Sequence, residues 1–416
     1  MQFKVKEDNE KMIHSSYWEP HIFPYNGTGA PVQIDRLQDF TGSPSLNREK
    51  INEIGRDGTV DWKKSIPSVT LSLKQLEYGN LEFWRKITNT SDATTVLTLA
   101  DFKTSYFDIA GYKTDDNGTF LGTIFYPKQR VAGWGINIGD PNAIVERSFN
   151  FIAEDEIAFT DNNKYLIYLT STATGAGHQI NIGSGGFATY PDPVALPDES
   201  GSKYFIRITR YRSTTTTELV EGTDFTYNSG TSTITFADSA ASDVFKVYYT
   251  SSTYISGGSL FTNNDSDLGG ITADSCSIYL QTSNYVYRLQ SVGIDVSFDR
   301  QDVKEIGNSE VVARGIRANT VNITLGRILE NYTIEQVLRG VASGFGQYDI
   351  REFKDDIKLT VKMFSDKDKD TFKIGYSFTN LTPSSLDMTV PTKDYVNRGA
   401  TLTGESATIT NVEGSL

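Results

Sequence analysis

The stretch VYRLQSVGIDVSFDRQDVKEIG, from Val286 to Gly307, decides the fold, because a related stretch, QIDRLQDFTGSPSLNREKINEIG, runs from Gln33 to Gly55. An offset of 252 residues (288 − 36 = 252) aligns them without a gap, with eight identities in twenty positions from Arg36 onward. Composition alone would give roughly one or two identities over that length. The chain therefore contains an internal repeat, whose signature residues are Arg48, Glu53, Ile54 and Gly55 in the first copy and Arg300, Glu305, Ile306 and Gly307 in the second.

Each repeated segment leads into a strand pattern and then a helix pattern. The same offset places the alternating apolar residues Val69, Leu71 and Leu73 on Val321, Ile323 and Leu325, as in half-buried strands. A slip of one residue then aligns Glu82 with Glu335, where apolar spacing predicts one short amphipathic helix. With the alternating segments downstream, each copy is expected to hold about six strands and one flanking helix. The predicted fold class is mostly β, with two tandem sandwich or flattened-barrel domains.

The repeats also predict the domain organisation. An N-terminal arm occupies residues 1–32, the first copy 33–154, and the second copy with a C-terminal tail 276–416. Residues 155–275 belong to neither copy, but they contain alternating strand patterns separated by turn signals. We therefore expect an inserted small β domain between the copies.

Bulk composition limits the functional classes. A formal charge of −13 argues against a protein that grips nucleic acid, because that affinity depends on Lys and Arg displacing counterions from phosphates. The one cysteine, Cys276, rules out an internal disulfide and is expected to be a packed thiol. Neither a signal peptide nor a membrane-spanning run is visible, so we expect no membrane insertion.

The motifs that could carry catalysis or metal binding are weak. The three histidines have no neighbours at metal-ligand or triad spacing. Asp366, Asp368 and Asp370 resemble the start of a calcium loop, but Thr371 and Ser377 stand where that loop needs Gly and Glu. No cofactor, metal site or enzymatic activity is predicted.

The segments after the repeated EIG, RDGTVDWKKSIP and NSEVVARGIRAN, combine apolar and basic residues on an acidic protein. They are either long solvated hairpin loops or contacts to a neighbouring subunit, whose acidic surface they would complement. The candidate contact residues are Trp62, Lys63, Lys64, Arg314, Ile316 and Arg317.

The segments NREKINEIG and DRQDVKEIG, the strands PSVTLSL and NTVNITLG, and the short helix that follows resemble the tail tube proteins, or major tail proteins, of tailed bacteriophages. The resemblance covers both repeats, about two thirds of the chain, and is a matter of pattern. It implies a sandwich whose inner sheet joins neighbouring sheets around a channel. It further implies that rings of six such domains stack through long loops into a tube that conducts DNA to the host.

With two such domains per chain, three chains are expected to form a ring with threefold and approximate sixfold symmetry, carrying a formal charge of 3 × (−13) = −39. The implied partners are other copies of the chain, the tape-measure protein, and tail-terminator and tail-tip proteins, with DNA as a passenger that does not adhere. The implied location is the virion tail, assembled in the host cytoplasm. Because the channel must stay open, the inserted domain is expected to face outward, which favours a non-contractile tail.

Four acidic residues, two in each copy, are candidates for the channel wall because they lie on or beside the first long strand. Outward solvated positions explain them equally well. The four residues are Asp35, Asp39, Asp295 and Asp299. Two other functions stay open: a baseplate or tail-tip ring protein, and an adhesive carbohydrate-binding β protein suggested by the 22 Tyr and 23 Phe.

Overall fold

The computed structural model describes residues 18–416 apart from 26–30, 47, 52–60, 65–67, 116, 118, 141, 154, 197–202, 254–269, 282–283, 287–288, 305–310, 330–331, 341–348 and 393–394. The described part of the chain is mostly β, with two short α-helices and several antiparallel sheets. The predicted fold class is confirmed.

The elements fall into three consecutive groups. The first contains β1 (Trp18–Pro24), β2 (Val32–Gln33), β3 (Leu37–Ser45), β4 (Arg48–Ile51), β5 (Asp61–Lys64), β6 (Ser68–Leu76), α1 (Glu82–Thr88), β7 (Val96–Thr98), β8 (Phe107–Thr114), β9 (Phe120–Ile138), β10 (Glu146–Ala153) and β11 (Ile157–Phe159). The second contains β12 (Tyr165–Thr172), β13 (Gln179–Asn181), β14 (Phe205–Arg212), β15 (Thr215–Glu218), β16 (Phe225–Asn228), β17 (Thr233–Phe236) and β18 (Val244–Ser251). The third contains β19 (Cys276–Leu280), β20 (Asn284–Tyr285), β21 (Leu289–Lys304), β22 (Val311–Ile328), α2 (Thr333–Arg339), β23 (Ile357–Phe364), β24 (Phe372–Thr389), β25 (Asn397–Gly404) and β26 (Ser406–Thr410).

The two repeats share one strand topology. The first forms the antiparallel sheet β3–β6–β10–β9, and the second forms β21–β22–β25–β24 in the same order. Phe40 lies opposite Leu73 on β6, as Val292 lies opposite Leu325 on β22. Both pairs are related by 252 residues (292 − 40 and 325 − 73). We call these two four-stranded sheets the inner sheets.

Strand pairing extends the similarity beyond the predicted limits of the first copy at 33 and 154. The series β2–β1–β8 matches β20–β19–β23, and the pair β9–β11 matches β24–β26. Part of the predicted N-terminal arm is therefore a strand of the first repeat. The sequence of β1, WEPHIFP, contains two prolines and no polar–apolar alternation, so the periodicity carried no signal for it.

The helices α1 and α2 correct the sequence alignment. Both have seven residues and end at a left-handed C-cap, Asn89 (φ 53°) in the first and Gly340 (φ 74°) in the second. Such a residue ends a helix by turning the chain out of it, and glycine adopts it at least cost. The caps are 251 residues apart (340 − 89), so Glu335 corresponds to Trp84, not to Glu82 as the sequence alignment placed it.

The chain divides into two compact units. One comprises Met1–Ile34, Tyr106–Lys128 and Glu156–Asn264, and the other comprises Asp35–Ser105, Gln129–Asp155 and Asp265–Leu416. The second unit contains both inner sheets and both helices.

In the first unit, the strands between the repeats form the sheets β12–β18–β14–β15 and β13–β17–β16. Their shared core is strongly aromatic, with the rings of Phe236 and Phe245 stacked at 3.8 Å. A second cluster packs Tyr168 and Tyr248 of these strands against Phe23 on β1. Much of the Tyr and Phe content that suggested a carbohydrate-binding protein is thus part of the described cores.

A buried ion pair joins β14 to β8 within the same unit. Arg207 binds Asp108, whose other carboxylate oxygen accepts the backbone N–H of Lys128 at 2.8 Å. The guanidinium also lies 4.7 Å from the ring centre of Tyr248. Strands of the first repeat and strands of the inserted segment therefore share both an apolar core and a buried charge pair, which explains why they form one compact unit.

Candidate functional site: the junction between the repeats

The two inner sheets are joined edge to edge. The last strand of the first, β9, pairs with the first strand of the second, β21, in one antiparallel register: Ile138 opposite Val292, Ile136 opposite Ile294 and Trp134 opposite Val296. Gly133 and Gly135 permit this approach, since a Cβ would lie 2.8 Å from Val296 O at Gly133 and 3.0 Å from Ile294 O at Gly135. The result is one eight-stranded antiparallel sheet spanning both repeats.

The two outer edges of this sheet are the counterparts of the strands at the junction. Among the described residues, β3 pairs only with β6, and residues 382–389 of β24 pair only with β25. By register, β24 corresponds to β9 and β3 to β21. The β24 edge of one chain and the β3 edge of another therefore correspond to β9 and β21, the two strands that pair at the internal junction.

Side-chain exposure differs sharply between the junction and the β24 edge. Ile136 and Ile138 are 2% and 4% exposed, because β21 covers them. Their counterparts at an offset of 252 are Met388, near the end of β24, and Val390, just after it, and these side chains are 58% and 65% exposed. Large apolar side chains at an uncovered strand edge are the usual mark of a surface that pairs with another chain.

A second set of contacts crosses the junction at Arg300, one of the signature residues. Its Nε donates to the carbonyl oxygen of Val131 at 2.5 Å, and its Nη2 donates to that of Phe102 at 2.9 Å. Phe298, two residues earlier on β21, stacks its ring on Phe102 with centres 5.7 Å apart. Arg300 and Phe298 thus attach the second repeat to the end of the 3-10 helix Leu99–Phe102 in the first.

A buried polar network also links the repeats. Arg147 donates to Glu77 at 3.3 Å and to Gln75 at 2.9 Å, and Tyr376 of the second repeat donates its hydroxyl to Glu77 at 2.7 Å. Burial, followed by the Glu77 charge, raises the pKa of Tyr376 well above its usual value, which keeps the hydroxyl a donor. Because charged groups without water need full pairing, this network favours one relative position of the two repeats.

The corresponding network of the second repeat lies within that repeat. Glu335 on α2 accepts from Arg327 at 3.1 Å and from Arg398 at 3.0 Å. Arg398 is the counterpart of Arg147, but the carboxylate comes from the helix. Backbone pairing also joins the repeats where β7 pairs with β26, with Leu97 opposite Ile409.

The face of the eight-stranded sheet opposite its core carries three of the four candidate channel acids. Asp295 and Asp299 alternate with the buried residues of β21 and are exposed, and Asp39 is exposed on β3 opposite Lys74. Partial burial raises the pKa of Asp295. Asp35 lies in the turn before β3 and is half-buried, so it is not on this face. We call the surface that carries Asp39, Asp295 and Asp299 the polar face.

The candidate contact residues lie on strands rather than in loops. Trp62, Lys63 and Lys64 are on β5, which pairs with β4 so that Lys64 lies opposite Arg48. Arg314, Ile316 and Arg317 are on β22, where Ile316 lies opposite Arg300 and Arg317 is exposed. Each repeat therefore extends one long hairpin. The signature residues Glu53, Ile54, Gly55, Glu305, Ile306 and Gly307 lie outside the described residues.

The described residues contain no group of three or more His, Cys, Asp or Glu arranged to hold a metal ion. Cys276 is buried, and burial together with the nearby Glu77 charge raises the pKa of its thiol to about 12. No helix in the described part of the chain is both long enough and apolar enough to cross a membrane.

Sequence reasoning found the repeats but missed the contacts between them. Tyr376, Met388 and Val390 were visible only as members of alternating strands, and nothing local marks them as junction residues. Arg300 did carry a signal, since it is identical in the two copies, but identity alone did not indicate what it binds.

No protein-family model matches the chain, and no curated protein matches it. One solved structure with a likeness is the six-fold symmetrised cryo-EM structure of the anti-feeding prophage baseplate, with a TM-score of 0.27 and 13% sequence identity. The match covers 34% of this chain and 92% of that one. At that level the likeness says nothing further about what this chain does.

Proposed function

We propose that this chain is a structural subunit of a bacteriophage tail tube, and that three chains form each ring. The observation that carries the proposal is the β9–β21 junction, which joins two inner sheets of the same topology and leaves a complementary strand at each outer edge. The resemblance of the repeats to tail tube proteins supplies the rest: six domains in a ring, stacked around a channel.

An interface between unlike edges repeats head to tail and must either close into a ring or continue as a filament. Applying the register of β9 on β21 to β24 and the β3 of a neighbouring chain places Leu386 opposite Pro44, Met388 opposite Gly42 and Val390 opposite Phe40. The same register places Asp387 opposite Ser43, where the internal junction has Gly135 opposite Asp295. Each junction then has one acid facing a small residue. Because Ser385 and Asp387 stand where the internal junction has Gly133 and Gly135, the two strands would lie slightly farther apart there than β9 and β21 do.

Three eight-stranded sheets would close into a barrel of 3 × 8 = 24 strands. With strands about 4.8 Å apart and tilted by about 40°, the circumference is roughly 150 Å and the backbone diameter about 48 Å. That opening admits a DNA duplex. Closure would also remove both exposed sheet edges, which are otherwise sites of uncontrolled association.

The polar face would line this channel, with the apolar face against the rest of each subunit. The overall charge of −39 per ring would keep phosphate from adhering to the wall, so DNA would pass without binding. In this function the chain's partners are its own copies, the tape-measure protein, and tail-terminator and tail-tip proteins in the virion. An outward inserted domain would leave no room for a close-fitting sheath, which favours a non-contractile tail.

The decisive experiment is negative-stain imaging of the concentrated full-length chain, with sedimentation velocity over a range of concentrations. Stacked rings with threefold features, growing into tubes of indefinite length, are expected. Isolated rings that never stack would instead support a baseplate or tail-tip ring protein. Monomers under all conditions of salt, pH and concentration would contradict the proposal.

A further inference from the structure

Arg300 shows what a signature residue does at the internal junction. Its planar guanidinium donates to two carbonyl oxygens, those of Val131 and Phe102, and a third, that of Lys103, lies 3.5 Å from Nη1. The last carbonyl groups of a helical turn lack partners within it, and a guanidinium offers five donors in a fixed plane. Arg300 therefore caps the 3-10 helix of the preceding repeat.

The first repeat carries the same device on its outer edge. Arg48 and Leu46 stand 252 residues before Arg300 and Phe298, and the hairpin register agrees, since Arg48 lies opposite Lys64 as Arg300 lies opposite Ile316. Arg48 is exposed. Leu46 is 63% exposed, whereas Phe298 is only 4% exposed because it packs on Phe102.

The second repeat carries the matching acceptor. Its 3-10 helix Ile350–Glu352 begins 251 residues after the helix Leu99–Phe102 (350 − 99), the same spacing as between the C-caps of α1 and α2. Phe353 and Lys354 then correspond to Phe102 and Lys103. The Phe353 side chain is half-buried.

We propose that Leu46 and Arg48 form an anchor that holds the neighbouring copy of this chain. Arg48 donates to the carbonyl groups of Phe353 and Lys354 of that copy, and Leu46 packs on its Phe353 ring. The partner is a second copy because the donor follows β3 at one edge of the sheet, whereas the acceptor belongs to the repeat whose β24 forms the other edge. The internal junction already shows the same contact made. This inference rests on the proposed function.

The anchor gives the junction between chains its register. Strand pairing alone tolerates a slip of two residues, which keeps every side chain on its own face. The edge strand β3 has Gly42 and Pro44 where β21 has Ile294 and Val296, so its apolar side chains specify register less strongly. The hydrogen bonds from a guanidinium to the end of a helix can form in only one register of the two strands. The identity of Arg48 and Arg300 then follows from a shared task, performed between chains by one and within the chain by the other.

The first test replaces the donor in the full-length chain. Arg48→Met keeps the aliphatic stem and removes the hydrogen bonds, which should weaken each junction between chains on the order of ten- to a hundredfold. The concentration at which half of the chains are assembled should rise accordingly. Arg48→Lys should also weaken assembly, because an ammonium group cannot reproduce the planar fork. Lys367→Met is the matched control, since Lys367 is exposed on a hairpin away from both edges and should leave assembly unchanged.

The second test is a direct one for proximity. In a Cys276→Ser background, Leu46→Cys combined with Phe353→Cys should give disulfide-linked dimers and trimers on a non-reducing gel, whereas either single variant should not. Mixing the two single variants should give dimers only. Both outcomes require the contact to be between chains.

The results separate this inference from the proposed function. The anchor is overturned, and the ring is not, if the unmodified chain forms rings, the Arg48→Met variant assembles at the same concentration, and the double-cysteine variant yields no cross-link. An unmodified chain that never assembles would overturn the proposed function and the anchor with it.

Discussion

The exposed apolar side chains at the end of β24 give the sharpest quantitative prediction. Met388 and Val390 are 58% and 65% exposed, and their counterparts Ile136 and Ile138 are 2% and 4% exposed at the internal junction. If β24 of one chain pairs with β3 of the next, more than half of each side chain leaves water. Full burial of such a side chain contributes about 1.5–3 kcal/mol, so each should contribute about 1–2 kcal/mol to association.

The test is the double variant Met388→Ala, Val390→Ala. Together the truncations should cost about 2–3 kcal/mol for each junction, which is roughly a 30- to 150-fold weaker association. Thermal unfolding of the unassembled chain should change little, because both side chains are exposed there and surface substitutions usually stay within about 0.5 kcal/mol. Sedimentation velocity across a concentration series measures the midpoint of assembly.

Val220→Ala provides the control, since Val220 is also 60% exposed but lies in the segment between the repeats. It should leave the assembly midpoint where it is. The reasoning is refuted if the double variant assembles at the same concentration as the unmodified chain, or if the Val220 variant shifts the midpoint equally.

Three further predictions concern the buried network, pH and the channel. Tyr376→Phe removes a donor from the buried Glu77 carboxylate and should lower the free energy of unfolding by about 1–3 kcal/mol, measured by urea denaturation; an unchanged midpoint would show that the bond across the repeats contributes nothing. Burial lowers the pKa of His21 from 6.5 to about 4, so its contribution is present above pH 6.5 and is lost as the pH falls toward 4, up to about 3 kcal/mol. Urea unfolding of His21→Phe should therefore depend less on pH across that interval than the unmodified chain, and equal slopes would exclude His21 as a cause. Replacing Asp295 and Asp299 on the polar face with Lys should permit tube assembly and slow DNA ejection from particles carrying the variant, whereas unchanged ejection would remove both residues from the channel wall.

Sequence periodicity was informative where one side of a strand is buried. The alternation of Val69, Leu71 and Leu73 predicted a half-buried strand, and all three are core residues of the first inner sheet. It failed at β1, where prolines and a run of buried residues replace alternation. The sequence alignment was also two residues off at the helix. It matched Glu82 with Glu335 because both are glutamates, whereas the positions of the two C-caps give the true spacing of the helices.

The site itself was less accessible to sequence reasoning, because its residues acquire meaning only from strand order. Nothing in the local sequence says that β9 pairs with β21, or that Met388 is exposed while Ile136 is covered. Gly133 and Gly135 could have suggested a close approach of another strand, since glycine within a strand often marks one. The partner strand, however, was fixed only by the three-dimensional arrangement.

The covalent link between the repeats changes how a ring would come together. Six separate domains would need five encounters between independent molecules, each losing translational and rotational freedom at a cost of about 4–15 kcal/mol. With every second contact already made inside the chain through β9 and β21, only two such encounters remain, and the third contact between chains closes the ring. A tube built this way would have three weaker seams per ring alternating with three permanent ones, and under mechanical load it should open along the seams formed by β24 and β3.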